Sequence, residues 1–112
     1  MGTAEPSLAS LFAALANDDR LAIIRAMGEW PDPMTVTAIA HAVGISRFSA
    51  SRHLRILCDA RLVSATPRGQ ALLHRLCREG FEDVEDWLFP VMDDASARSS
   101  GGWADAALAA EV

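Results

Sequence analysis

Val43-Gly44-Ile45-Ser46-Arg47-Phe48-Ser49-Ala50-Ser51-Arg52-His53-Leu54-Arg55-Ile56-Leu57 reads as a tight turn followed by a capped helix. Gly44 has the freedom for the positive φ that a sharp helix exit needs. Ser46 is an N-cap, a side-chain oxygen that can accept a free N–H of the next turn. At about 100° per residue, Ala50, His53, Leu54 and Leu57 share one side of that helix. Phe48, Ser51, Arg52, Arg55 and Asp59 share the other. A short helix with a small apolar underside and an Arg/Ser outer face suits a DNA major groove. The stretch is expected to be a recognition helix running to about Ala60.

Upstream, Thr35 is a cap for a short helix through Val43, with Val36, Ile39, Ala40 and Val43 inward. Two short helices joined by the Gly44-Ile45 turn make a helix-turn-helix. Trp30-Pro-Asp-Pro-Met34 breaks the preceding helix, because two prolines so close cannot lie in a helix interior. That helix starts at Asn17-Asp18-Asp19, a cap with carboxylates at the positive end of the dipole. Its Leu21, Ile23, Ile24 and Met27 cover a wide arc, which predicts a central place in the core. Ser7 caps a first helix carrying Leu8, Leu11, Phe12 and Leu15. Met1–Pro6 is expected to be a frayed start.

Downstream, Leu62–Thr66 and Gln70–Leu76 flank Pro67-Arg68-Gly69, two apolar runs around a turn, hence a hairpin. A hairpin directly after a recognition helix is a wing, and Arg68 at its tip is a candidate for a phosphate or the minor groove. From Arg78 a long helix places Phe81, Val84, Trp87, Leu88, Val91 and Met92 on one face, with Glu82, Asp83, Asp86 and Asp93 opposite. Pro90 removes one backbone donor and is a candidate kink. Ala95–Gly102 reads as a linker and Trp103–Val112 as one loose Ala-rich segment. The fold class is therefore mainly α with a small β-hairpin (α+β), a winged helix-turn-helix in the order α-α-α-α-β-β-α. Residues 7–95 form the domain and 96–112 a flexible Ala/Ser/Gly-rich tail.

The 112 residues, 51% of them hydrophobic, suffice for one modest core, and a domain this small often gains stability by dimerising. The net charge of −5 argues at first against a nucleic-acid partner, but its distribution reverses that reading. Residues 1–80 hold nine arginines and seven carboxylates, a balance of +2, while residues 81–112 hold one arginine and eight carboxylates, a balance of −7. There is no lysine, so every basic contact falls to the planar fork of arginine. No apolar run approaches the roughly 18 residues of a membrane span, and no signal-peptide pattern opens the chain. Two cysteines, Cys58 and Cys77, make no disulfide framework; a cytoplasmic setting is the simpler expectation.

Four stretches in order resemble the ArsR/SmtB family of bacterial winged-helix repressors. Leu15–Ile24 is similar to the family's opening segment, Ile39–Ser46 to its turn, Ala50–Leu57 to its recognition helix, and Leu62–Leu76 matches its wing in length, with Gly69 at the tip. The likeness spans about residues 7–95. It implies a homodimer seated on the first and last helices, with double-stranded DNA of near-palindromic sequence as partner, released when an inducer binds. The family's best-known inducers are metals, held by a Cys-x-Cys motif in the third helix or by His and carboxylates in the last. Here the Cys-x-Cys positions are Thr35 and Thr37, poor ligands for soft metals, and the last helix has no histidine. No metal and no cofactor is expected; the inducer, if there is one, is an unspecified small molecule or an oxidant. Arg61 stands where the family usually has glycine, and Ala71 and Leu72 leave the wing sparse in polar groups.

The DNA-contact candidates are Arg47, Phe48, Ser49, Ser51, Arg52, Arg55 and Arg68. Ser51, Arg52 and Arg55 are best placed for base edges or phosphates, and Arg47 for a phosphate. Phe48 either touches a thymine methyl or folds back onto the third helix. The dimer candidates are Leu8, Leu11, Phe12, Phe81, Val84, Trp87, Leu88, Val91 and Met92; Trp87 and Phe89 are also candidates for a small-molecule site. His53 is a structural histidine or a sensor, His41 an exposed residue or a phosphate contact, and His74 a cross-strand packer. The three make no metal spacing. Cys58 and Cys77 are small buried hydrophobes or a thiol switch. With no nucleophile–base pair and no phosphate loop, an enzyme is not expected. The alternative function is a winged-helix module turned to protein–protein contact, which the acidic pI and sparse wing suggest.

Overall fold

In the computed structural model, which describes residues 6–99, the chain is five helices and one hairpin. They are α1 (Leu8–Leu15), α2 (Asp18–Glu29), α3 (Val36–Val43), α4 (Arg47–Asp59), β1 (Val63–Arg68), β2 (Ala71–Leu76) and α5 (Arg78–Ser99). This is the expected order and the expected winged helix-turn-helix.

Local chemistry starts each of the first four helices. Ser7, Asn17, Thr35 and Ser46 accept the backbone N–H three residues on, from Ser10, Arg20, Ala38 and Ser49, at 3.0–3.1 Å. Gly44 ends α3 at φ 80°, and its N–H and that of Ile45 both donate to the Ala40 carbonyl. Leu11, Ile23, Ile39 and Leu57, one from each of these helices, are fully buried together with Leu62 from the link to the wing. Burying each contributes roughly 1.5–3 kcal/mol, so the core sits directly beneath α4.

The hairpin pairs Val63 with Leu76 through Arg68 with Ala71. Pro67 and Arg68 lie within β1, and Gly69-Gln70 makes a two-residue turn with Gly69 at φ 63°. Met34, in the proline-broken connection, adds a single antiparallel bridge to His74. Backbone N–H groups are exchanged both ways at 2.9 and 2.7 Å. The buried His74 ring, on its Nδ1, lies 3.1 Å from the Met34 carbonyl; a carbonyl only accepts, so this nitrogen carries the proton. This bridge ties the wing to the start of α3 and thereby fixes the angle between hairpin and helix-turn-helix.

Three expectations change. Leu21 is exposed rather than inward, because it shares its stripe with Arg25 and Gly28 while Ile23 and Met27 turn to the core. The linker expected from Ala95 is helical as far as Ser99, since residues 95–99 contain no glycine or proline to stop α5, which also runs through Pro90. Of the frayed start expected over Met1–Pro6, residues 1–5 lie outside the described residues, as do residues 100–112, which hold the rest of the 96–112 tail and the loose segment at Trp103–Val112. Leu11, expected at the dimer seam, is 1% exposed and belongs to the chain's own core.

Candidate nucleic-acid interface

The underside of α4 is anchored by Ala50, Leu54 and Leu57, all buried. Its opposite stripe, Phe48, Ser51, Arg52 and Arg55, is exposed. Arg47 is exposed as well, at the first residue of the helix. Among the described residues, no carboxylate pairs with Arg47, Arg52, Arg55 or Arg68. Those guanidiniums are free to meet phosphates or base edges. Ser49 is different: it is half-buried and lies one turn before His53 on the flank of the helix, so it is the poorest placed of the α4 candidates.

His53 is a strut. Its Nδ1 lies 3.2 Å from Arg20 Nη1 and its Nε2 3.6 Å from Asp19 Oδ2. Arg20 also donates from Nε to the Ala14 carbonyl at 2.6 Å and from Nη2 to the Ala13 carbonyl at 3.4 Å, closing the open end of α1. One arginine thus joins α1, α2 and the recognition helix. His41 is exposed near the end of α3.

Between α3, α4 and the hairpin runs a groove of about 610 Å3. Arg47, Ser51 and Arg55 line one side, Thr35 and Thr37 another, and Gln70 and Leu72 the wing side. Gln70 and Leu72 had no local signal to mark them; only the wing's docking through Met34 brings them opposite α4. Arg68 lies elsewhere. It shares a shallow hollow with Pro33, Thr66, Leu73 and Arg75. By strand alternation that is the hairpin face opposite Ala65 and His74, which face the α4 groove. Arg75 therefore joins Arg68 as a second exposed cation of the wing, one that its position inside a strand had concealed.

Cys58 lines the groove and Cys77 precedes α5, both half-buried. Burial pushes the Cys58 thiol up, helped by the negative charge of Asp59 and by Cys77. That favours the protonated thiol, the less reactive form. Thr35 and Thr37 offer only hydroxyls, and Thr35 Oγ1 is engaged as the α3 cap. Among the described residues no group of three or more His, Cys, Asp or Glu is placed to hold a metal ion.

Residues 17–65, from the α2 cap through the recognition helix into β1, match the family described as bacterial regulatory protein, arsR family. A crystal structure of a transcriptional regulatory protein fragment from Mycobacterium bovis, described as a possible one, is 30% identical. The match covers 77% of this chain and 90% of that one, with a TM-score of 0.62. A solution structure from the same organism is described as a homodimeric winged helix-turn-helix DNA-binding domain of a possible ArsR-family regulator. It matches at 30% identity over 85% of each chain, TM-score 0.60. The chain belongs to the ArsR family. An ArsR-like regulator from Rhodococcus sp. RHA1, 24% identical over 83% of this chain and 86% of its own, shares the fold at a TM-score of 0.68. No curated protein sequence matches the chain. As an ArsR-family chain it is a winged helix-turn-helix DNA-binding regulator of transcription and not an enzyme.

Among its described residues the ArsR-family chain leaves an apolar stripe of α5 uncovered. Trp87, Val91 and Met92 are 46–51% exposed, Phe89 is exposed on the other side of the helix, and Phe12 of α1 meets Trp87 edge to face, centroids 5.4 Å apart. Leu8, Phe81 and Val84 are half-buried against the chain's own core, and Leu88 is half-buried too. Of the expected seam, then, Phe12 and Leu88, both half-buried, and the exposed Trp87, Val91 and Met92 lie outside the core cluster. No helix among the described residues is long and apolar enough to cross a membrane.

Proposed function

We propose that this chain is a homodimeric repressor that lays two α4 helices into successive major grooves of a near-palindromic operator. The observation that carries the reading is the α4 stripe: Ser51, Arg52 and Arg55 exposed and without carboxylate partners, on a helix held rigid by Ala50, Leu54 and Leu57. Arg52 and Arg55 read bases or grip phosphates, Arg47 grips the backbone, and Arg68 reaches it from the wing. Half-sites lie about one helical turn apart, or a multiple of it. Homodimerisation rests on the uncovered α5 band and on the homodimeric state of the similar M. bovis domain. The protein works in the bacterial cytoplasm, where its operator is.

Its signal is not a metal in the family's Cys-x-Cys position, because two threonines there are weak ligands. The raised Cys58 thiol favours its protonated, less reactive form, which supports a small-molecule inducer over an oxidant acting at that cysteine.

Gel shift of the full chain against its own upstream DNA tests the proposal. Arg52→Ala and Arg55→Ala are each expected to weaken operator binding by roughly 10- to 100-fold while dimer and fold persist. Wild-type affinity should fall steeply between low and physiological salt. Unchanged affinity in both mutants sinks the assignment of α4. No retardation of the wild type at micromolar protein and low salt favours a protein-docking role instead.

A further inference from the structure

We propose that Phe48 is a specificity-determining residue, and that the operator half-site sets the 5-methyl group of a thymine against its ring. The inference rests on the DNA-binding reading above and adds to it a base preference. Phe48 is 77% exposed, the barest large hydrophobic side chain among the described residues. A ring so exposed is not folded back onto α3, and Phe48 is absent from the partly buried hydrophobics, Val43 and Ile45 among them, that pack against the core. Its place on the helix is not arbitrary. Phe48, Ser51, Arg52 and Arg55 follow at i, i+3, i+4 and i+7, so the ring projects from the same stripe as the polar candidates. It lies at the second residue of α4, and the first turns of a recognition helix are those that reach base edges.

A bare aromatic ring on that stripe needs an apolar partner. Phosphates and the N7, O6, N6 and N4 groups of the major groove are polar; its one apolar feature is the C5-methyl of thymine. Flanking guanidiniums at Arg47 and Arg52 hold the backbone and set the depth at which the ring meets the groove floor. Phe48 therefore discriminates by removing a methyl group from water, a contact that hydrogen-bonding residues of the same stripe cannot make.

The test uses duplexes that the full chain selects from a randomised pool, with each shared thymine replaced in turn by deoxyuridine, which removes only the methyl. At one thymine position per half-site the wild type is expected to lose roughly fourfold in affinity, and roughly 10- to 20-fold when both half-sites are changed. Phe48→Ala should bind the thymine and uracil duplexes within about twofold of each other, with wild-type thermal unfolding. The proposal is overturned if no thymine is shared among the selected sites, if no replacement weakens the wild type, or if Phe48→Ala keeps the wild-type preference. Total loss of binding by Phe48→Ala also overturns it, because one methyl contact per half-site is too small to account for that. A wild type that selects no DNA overturns the DNA-binding reading itself and this inference with it.

Discussion

Arg61 follows the recognition helix at φ 62°, the one non-glycine at positive φ among the described residues. A left-handed conformation costs an L-residue with a Cβ about 1–2 kcal/mol. Arg61 recovers part of this from its side-chain contacts, among them an ion pair with Glu79 at 3.7 Å, an exposed pair of the kind that contributes little. Arg61→Gly should therefore stabilise the fold by about 0.5–1 kcal/mol, read as a higher urea midpoint at unchanged slope; a lower midpoint would mean that Arg61's side-chain contacts outweigh its strain. Cys58 gives a pH-dependent counterpart. Its pKa is raised in the fold, so the native state holds that proton more tightly than the unfolded chain. The resulting stability is complete below the unfolded thiol pKa and is lost as pH climbs through the raised folded value. At neutral pH, Cys58 should react with iodoacetamide more slowly than a free cysteine does, which mass spectrometry of the alkylated peptides checks. Equal rates would restore a reactive thiol and with it a redox signal.

The elements differ in how openly the chain announces them. Ser7, Asn17, Thr35 and Ser46 each act within three residues, so four helix starts were legible from local chemistry. The Gly44 turn and the two faces of α4 were legible for the same reason, and they carry most of the candidate site. The Met34–His74 bridge was not, because a one-residue pairing across forty positions leaves no period in the sequence. Gly80 was equally silent. In the first turn of α5 it donates its N–H to the Arg61 carbonyl at 3.2 Å. A Cβ there would collide with that carbonyl oxygen and come within 2.9 Å of both the carbonyl carbon and Leu62 Cδ2. Gly80→Ala should destabilise the domain by about 1–3 kcal/mol, lowering the melting temperature and loosening the seat of α5. A wild-type melting temperature would show that α5 can shift without cost.

At the scale of the molecule, acidic α5 and arginine-bearing α4 divide the charge, so a chain of net charge −5 can still present a cationic helix to DNA. The carboxylates of α5 discourage DNA from its surface, while Trp87, Val91 and Met92 leave it an apolar band with no cover among the described residues. A second copy would bury that band and set the spacing of the two α4 helices. Met92→Asp should then weaken the dimer at least tenfold in sedimentation velocity and weaken operator binding in parallel, with helical circular dichroism retained. An intact Met92→Asp dimer would move the seam away from this end of α5.

The sequence by itself determined the order of elements, the capped starts of α1 to α4, the turn before α4 and the composition of its two faces. All of these follow from interactions within one or two helical turns, which residue identity controls directly. Only the tertiary structure decided that Leu11 belongs to the core and Leu21 to the surface, that Arg68 faces away from the α4 groove, and that Phe48 stands bare on the exposed stripe of α4. Those outcomes depend on which surface another element covers, and a periodic pattern names the apolar side of a helix without naming what comes to lie against it.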